Sequence, residues 1–223
     1  MGAVHFSLDE RLLGSLLREL NLEWFVETGT FRGDTLEMAL RFPFRQWHSV
    51  ELSPDYFAAA QKRFAGRENV RLHLGASPEA LRALQPAFAD RATLFWLDAH
   101  WCVAEKTAGE QSQSPLLEEL RAVQQLNENS VLLIDDARLY LCAPPRPHRA
   151  GDWPSFQQVL DALRALSAGH DVSVCNDVIL FAPKKIEATL AVYAHEHGAD
   201  WLRETRDALR HRQRKQRGWW PFR

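Results

Sequence analysis

Apolar residues recur at helical spacing from the start of the chain, with Leu8, Leu12, Leu13, Leu16, Leu17 and Leu20 on one stripe. Ser7-Leu8-Asp9-Glu10 has capping-box spacing, so an amphipathic helix ending near Asn21 is predicted. The pattern then changes to short apolar runs of strand length alternating with helical stretches. Trp24-Phe25-Val26, Trp47 to Glu51, Val70 to Leu74, Thr93 to Asp98 and Val131 to Asp135 read as strands. Between them, helices are predicted from Gly33 to before Pro43, from Ser53-Pro54 through Phe64, from Ser77-Pro78 onward, and over Pro115 to Leu126. A Pro-rich loop, Ala143 to Asp152, precedes a further helix from about Pro154 to Leu166.

Alternation of this kind implies a parallel sheet with helices on both faces. The last two β-rich runs, Val172 to Cys175 and Val178 to Phe181, are separated only by Asn176-Asp177, whose side chains tolerate a tight turn, so they form a hairpin and not another crossover. The predicted class is α/β: a Rossmann-like, doubly wound, mostly parallel seven-stranded sheet ending in an antiparallel hairpin. Residues 1–183 read as one domain that includes the N-terminal helix. Residues 184–223 read as a helical stretch from Lys184 to about Arg217 followed by a basic aromatic tail.

Composition narrows the class further. With 223 residues, 46% hydrophobic and 25% charged, the chain is of globular type and long enough for one sizeable core. No apolar run approaches the roughly 20 residues that cross a bilayer, and Met1 to Glu10 lacks the pattern of a secretory leader. Cys102, Cys142 and Cys175 are odd in number and without CxxC spacing, as expected of reduced thiols in a cytoplasm. The net charge of −2 conceals an asymmetry, because Arg210, Arg212, Arg214, Lys215, Arg217 and Arg223 crowd the end with no acid among them. The acidic remainder argues against a nucleic-acid partner. The tail, with Trp219, Trp220 and Phe222, suits either a solvated basic end or peripheral contact with an anionic membrane or a glycan-assembly partner.

In a doubly wound sheet, ligands sit beyond the carboxyl ends of the strands. After the first strand comes Glu27-Thr28-Gly29-Thr30-Phe31-Arg32-Gly33, and after the second comes Glu51. Glycines permit close backbone approach to a ligand, and an acid after the second strand suits ribose hydroxyls, so the pair points to a nucleoside cofactor. A dinucleotide loop would carry G-x-G-x-x-G, and the third glycine is missing here. Leu97-Asp98-Ala99-His100-Trp101 and Ile134-Asp135-Asp136-Ala137 add three carboxylates at the same edge. Hard oxygen ligands in that number suit Mg²⁺, while Asp135-Asp136 as a cap and Asp98 as a cofactor contact are the competing readings. His100 is placed to act as a general base, to touch the cofactor or to pack. The loops Trp101 to Gln113, with Lys106 and Glu110, and Cys142 to Arg149 are placed to border an acceptor.

The E-x-G-x-x-x-G loop, the acid at Glu51 and the terminal hairpin together resemble the class I S-adenosylmethionine-dependent methyltransferases over roughly residues 22–183. The resemblance implies a methionine site shaped by Glu27, Thr28, Gly29, Thr30, Phe31 and Gly33, with the ribose on Glu51. Many relatives carry an acid where this chain has Ala76, so adenine contact would rest on Ser77 or on backbone. Asp98, Asp135 and Asp136 further resemble the cation ligands of metal-dependent O-methyltransferases of the catechol and macrolide-sugar type. That implies Mg²⁺ or Mn²⁺, a small-molecule or glycan acceptor, and Asp98 and His100 at the catalytic centre. A metal-free methyltransferase, a cephalosporin-hydroxylase-like relative, a nicotinamide-dependent oxidoreductase and a noncatalytic partner-binding protein are the alternatives.

Overall fold

The computed structural model describes residues 8–101 and 112–200, together with Arg206 and Arg210. The chain opens with α1 (Glu10–Glu19), whose cap is Asp9 and not Ser7: the Asp9 carboxylate accepts from the Arg11 amide at 2.8 Å. Ser7 lies outside the described residues. Leu12, Leu13 and Leu16 of this helix are buried, each worth about 1.5–3 kcal/mol of transfer free energy.

Five parallel strands follow, β1 (Trp24–Thr28), β2 (Gln46–Glu51), β3 (Val70–Leu74), β4 (Thr93–Leu97) and β5 (Val131–Ile134), linked by α2 (Asp34–Ala39), α3 (Pro54–Arg63), α4 (Ser77–Phe88) and α5 (Leu116–Val123). Pro54 and Pro78 stand in the first turns of α3 and α4, where a missing N–H costs nothing. A short α6 (Arg138–Leu141) and a 3₁₀ turn (Ala150–Asp152) interrupt the Pro-rich segment. Ser155 and Gln158 then form a capping box for α7 (Phe156–Leu166). The hairpin β6 (His170–Cys175) and β7 (Val178–Pro183) closes the sheet in the order β3-β2-β1-β4-β5-β7-β6, with β7 antiparallel to β5 and β6. Its turn is Asn176-Asp177 with φ of 50° and 64°, the left-handed pair that a two-residue hairpin demands.

Alternate strand residues divide the core into two layers. Phe25, Trp47, Leu94, Trp96 and Leu133 pack against Leu13 and Leu16 of α1 and Phe64 at the end of α3. Val26, Phe95, Leu97 and Ile134 pack against Leu81, Leu116, Leu120 and Leu163 of α4, α5 and α7.

The expected single helix from Lys184 to about Arg217 is not what forms. A 3₁₀ turn (Lys184–Ile186) leads into α8 (Glu187–His197), which stops where the Gly198 amide caps the Ala194 carbonyl at 2.8 Å. Ile186 and Tyr193 are buried in the first core layer, and Tyr193 Oη donates to Asp9 Oδ2 at 2.9 Å. No described helix is long and apolar enough to cross a membrane.

Candidate active site

The carboxyl ends of β1, β2 and β4 meet at the β1–α2 loop. Gly29 has φ of +85°, and a Cβ there would stand 2.3 Å from the Asp98 carbonyl oxygen, so only glycine lets this loop lie against the end of β4. Gly33 starts α2 at φ of +80° with its hypothetical Cβ against the Phe64 ring. The Glu51 carboxylate binds two amides, Phe31 N–H at 2.8 Å and Ser53 N–H at 2.7 Å, and so joins the loops after β1 and β2. Phe31 itself has φ of 47°, and its ring lies 4.8 Å from that of Tyr56, tilted by 55°.

Behind the loop, Glu27 is fully buried. Its Oε1 accepts from Ser49 Oγ at 2.5 Å, Ser49 in turn contacts Thr30 Oγ1 at 2.5 Å, and its Oε2 has no partner. Burial, opposed by the Ser49 bond and reinforced by the charges of Asp98 and Glu51, pushes the Glu27 pKa up to about 8. Thr28 Oγ1 accepts from the Asp98 amide at 3.3 Å. Ser77, the first residue of α4, is buried at the same edge.

The three aspartates also reach this edge, but His100 lies among them. Its Nε2 is 2.9 Å from Asp136 Oδ2 and its Nδ1 is 3.5 Å from Asp98 Oδ1. Burial alone would lower the imidazole pKa; the Asp136 hydrogen bond and the charges of Asp98, Asp136 and Asp135 outweigh it and hold it at about 9. Asp136, in the left-handed region at φ of 55°, is also bound by Arg138 at 2.6 Å. Burial raises its pKa, yet His100 and Arg138 bring it down to about 2. Arg138 is pinned in turn by Asp177 of the hairpin turn, which takes both the Arg138 guanidinium and, at 2.8 Å, its backbone N–H. Burial raises the pKa of Asp98 and Asp135, and Asp135 Oδ1 is buried without a partner.

These geometries separate the two implied groups. The residues implied for the cofactor suit it: Glu27 Oε2 is a buried oxygen without a partner, and Gly29 lets the β1–α2 loop lie against the Asp98 backbone at the same edge. The metal ligands do not fit in the same way. Both ring nitrogens of His100 are turned to carboxylates, Asp136 is neutralised by His100 and Arg138, and no group of three or more His, Cys, Asp or Glu side chains among the described residues is arranged to hold a cation.

Beside the cluster stands an aromatic wall. Trp153 packs 5.6 Å from His100, 5.3 Å from Tyr140 and 5.3 Å from His148, and His148 lies 5.6 Å from Trp101. Gln113 Oε1 fixes the wall by accepting from Trp153 Nε1 at 3.2 Å and from the Arg149 amide at 2.7 Å. Lys106 and Glu110 lie outside the described residues.

Sequence reasoning missed Ser49, Arg138, Asp177, Trp153 and Glu119. Glu119 alone carried a signal: three residues after Leu116 and one before Leu120, it occupies an apolar position of α5. It is fully buried with Oε1 unpartnered, and burial raises its pKa against the lowering influence of the nearby Ser77 and Thr28 hydroxyls.

The sheet order and the terminal hairpin define the class I methyltransferase fold. No family model and no curated protein matches the chain. Among solved structures, the chain is similar to a candidate O-methyltransferase from Klebsiella pneumoniae, with TM-score 0.55, 16% identity, and 81% of this chain and 82% of that one covered. It is similar also to a candidate caffeoyl-CoA O-methyltransferase from Staphylococcus aureus, with TM-score 0.54, 15% identity and coverage of 80% and 85%. A third is a candidate methyltransferase from Streptococcus mutans in complex with S-adenosylhomocysteine, with TM-score 0.51, 10% identity and coverage of 80% and 99%. At these identities the likeness is one of fold.

Proposed function

We propose that the protein transfers the methyl group of S-adenosylmethionine to a hydroxyl oxygen of a small-molecule or sugar acceptor. The observation that carries this reading is the cofactor cradle formed by the β1–α2 loop, which Gly29 lets lie against β4, and by the buried carboxyls of Glu27 and Glu51 at the ends of adjacent strands. The structures it resembles include one crystallised with S-adenosylhomocysteine and others described as O-methyltransferases, which supports the same reading.

When bound, the cofactor supplies an electrophilic methyl group on a sulfonium. Glu51 keeps free lone pairs on both carboxylate oxygens after accepting its two amides, and these take the ribose hydroxyls. Glu27, held through Oε1 by Ser49, lies behind the loop with Oε2 buried and unpartnered, where a cationic ammonium would favour its ionised form. On the acceptor side, the aspartates around His100 raise its pKa to about 9 and Asp136 holds its Nε2, which disfavours it as the base. The proton-accepting role falls to Asp98, whose side chain is 33% exposed against 5% for His100. His100 and Arg138 supply fixed positive charge to Asp136, and Trp101, His148 and Trp153 border the acceptor and exclude water.

The unpartnered Asp135 Oδ1 motivates a second reading, a divalent cation on Asp98, Asp135 and Asp136, against which stands the pairing of Asp136 with His100 and Arg138. Incubation with methyl-tritiated S-adenosylmethionine and a panel of phenols and glycosides, with and without EDTA, tests both. Label on an acceptor oxygen is expected, and it persists in EDTA on the first reading and requires Mg²⁺ or Mn²⁺ on the second. Label appearing only on nitrogen or carbon acceptors contradicts O-methylation.

A further inference from the structure

Away from the strand ends, α1 and α8 border a groove of about 520 Å³, inside the range of roughly 300–1,000 Å³ usual for small-molecule sites. Arg11, Ser15 and Arg18 stand at i, i+4 and i+7 on one face of α1 and line it. Arg18 bends back along its own helix: Nη2 donates to Ser15 Oγ at 2.8 Å, and Nη1 lies 3.7 Å from where a Cβ on Gly14 would stand. Arg11 reaches toward α8, its Nη1 lying 3.3 Å from His197 Nδ1. Neither guanidinium is paired with a carboxylate among the described residues.

The acids nearby are mostly committed elsewhere. Glu10 is bound by Arg41 at 2.7 Å, and Asp9 accepts from the Arg11 amide and the Tyr193 hydroxyl. Glu196 lines the groove too, but its side chain is 60% exposed and lies 3.8 Å from His197 Nε2. Two guanidiniums therefore face a single solvated carboxylate. Ser15 is buried and, having accepted from Arg18, keeps its own O–H to donate.

Gly14 adds a second observation. A glycine inside a helix weakens it relative to alanine. Here the backbone is helical, and an added Cβ would meet no heavy atom closer than 3.7 Å, so neither conformation nor packing within the protein calls for glycine. Its effect is to leave the floor of the groove open beside Arg18, between Arg11 and Ser15. Val192 of α8, 55% exposed, offers an apolar wall opposite. Two guanidinium forks and a hydroxyl match a phosphate monoester, which carries about −1.5 to −2 charge and three acceptor oxygens at neutral pH. A lone carboxylate brings only half that charge.

We propose that the groove between α1 and α8 binds a small phosphate monoester, its phosphate seated over Gly14 between Arg11 and Arg18 with Ser15 as a further donor. The site lies apart from the cofactor edge and does not depend on how that edge is read.

The test titrates the full chain with glycerol 3-phosphate, and with glycerol as the uncharged analogue, following the arginine Nε–Hε resonances by NMR. Saturable shifts of the Arg11 and Arg18 signals, assigned from Arg11→Gln and Arg18→Gln, are expected with glycerol 3-phosphate alone. Both side chains are exposed and glutamine keeps helix propensity, so the folds of these variants should hold. Each should weaken binding by at least about tenfold, the loss of a charge-assisted contact. Gly14→Ala should raise the melting temperature of the free protein and yet weaken binding by at least about threefold, because its methyl group fills the floor. Absence of shifts at about 20 mM ligand, equal shifts with glycerol, or undiminished binding in Arg18→Gln overturns the proposal. Wild-type affinity in Gly14→Ala overturns the seat over Gly14. Capture by vesicles containing phosphatidic acid, with no response to glycerol 3-phosphate, overturns it in favour of a lipid headgroup.

Discussion

His100 and Glu27 carry opposite charges toward the same pH response. His100 has a pKa raised to about 9, so its contribution to stability is full below the unfolded value near 6.5 and is lost as pH rises through 9. Glu27 is an acid raised to about 8, so it favours the folded state less as pH climbs from about 4.5 to 8. Both effects make the ligand-free protein less stable between about pH 6 and 9, and a melting series across that range should fall steadily. Glu27→Gln removes the cost of ionising a buried acid. It should therefore raise stability at pH 8 by about 1–3 kcal/mol while weakening cofactor binding; a melting temperature lowered at pH 8 would show that the burial cost is not borne by Glu27. Glu27, Glu51 and Asp98 were legible in the sequence because each directly follows or ends an apolar strand. The role of His100 was not, because the charges that hold it come together from Asp98 and, thirty-five and thirty-six positions on, from Asp135 and Asp136, a convergence that spacing along one strand does not reveal.

The strand-end loops are the elements on which the site depends, and their glycines differ in tolerance. A Cβ at Gly29 meets backbone, the Asp98 carbonyl, whereas a Cβ at Gly33 meets the side chain of Phe64. Gly29→Ala should accordingly cost about 2–4 kcal/mol and abolish cofactor binding, and Gly33→Ala about 1–2 kcal/mol with binding retained, by urea denaturation and calorimetry. Equal costs at both positions would contradict the close approach to β4. The hairpin is the second such element. Asp177→Ala removes one of the two carboxylates that hold Arg138 and should lower stability by about 1–2 kcal/mol without touching the cofactor cradle. Strand boundaries, the Asn176-Asp177 turn and the proline starts of α3 and α4 followed from period, apolar runs and turn chemistry. The stop of α8 at Gly198 did not, because the residues beyond it have compositions a helix accepts, and packing on α1 decides where this helix is held.

For the whole molecule, residues 184–197 belong to the core through Ile186 of the 3₁₀ turn and Tyr193 of α8, although residues 184–223 read in sequence as an appendage. Truncation after Gly198 should leave S-adenosylhomocysteine binding within about twofold of the full chain, while truncation after Pro183 should unfold it, as followed by far-UV dichroism. Burial of the apolar stripe on α1 gave the sheet a partner that was visible in the sequence; the closure of that face by α8, through buried Tyr193 and its bond to Asp9, is a tertiary contact that the local pattern does not reveal. The central claim is that the edge formed by Glu27, Gly29 and Glu51 binds the methionine-derived nucleoside. Calorimetric titration of the full chain with S-adenosylhomocysteine tests it most directly. One site per chain is expected, with affinity reduced at least tenfold in Glu51→Gln and no comparable heat from NAD. Saturable binding of NAD, with no response to S-adenosylhomocysteine, would contradict it.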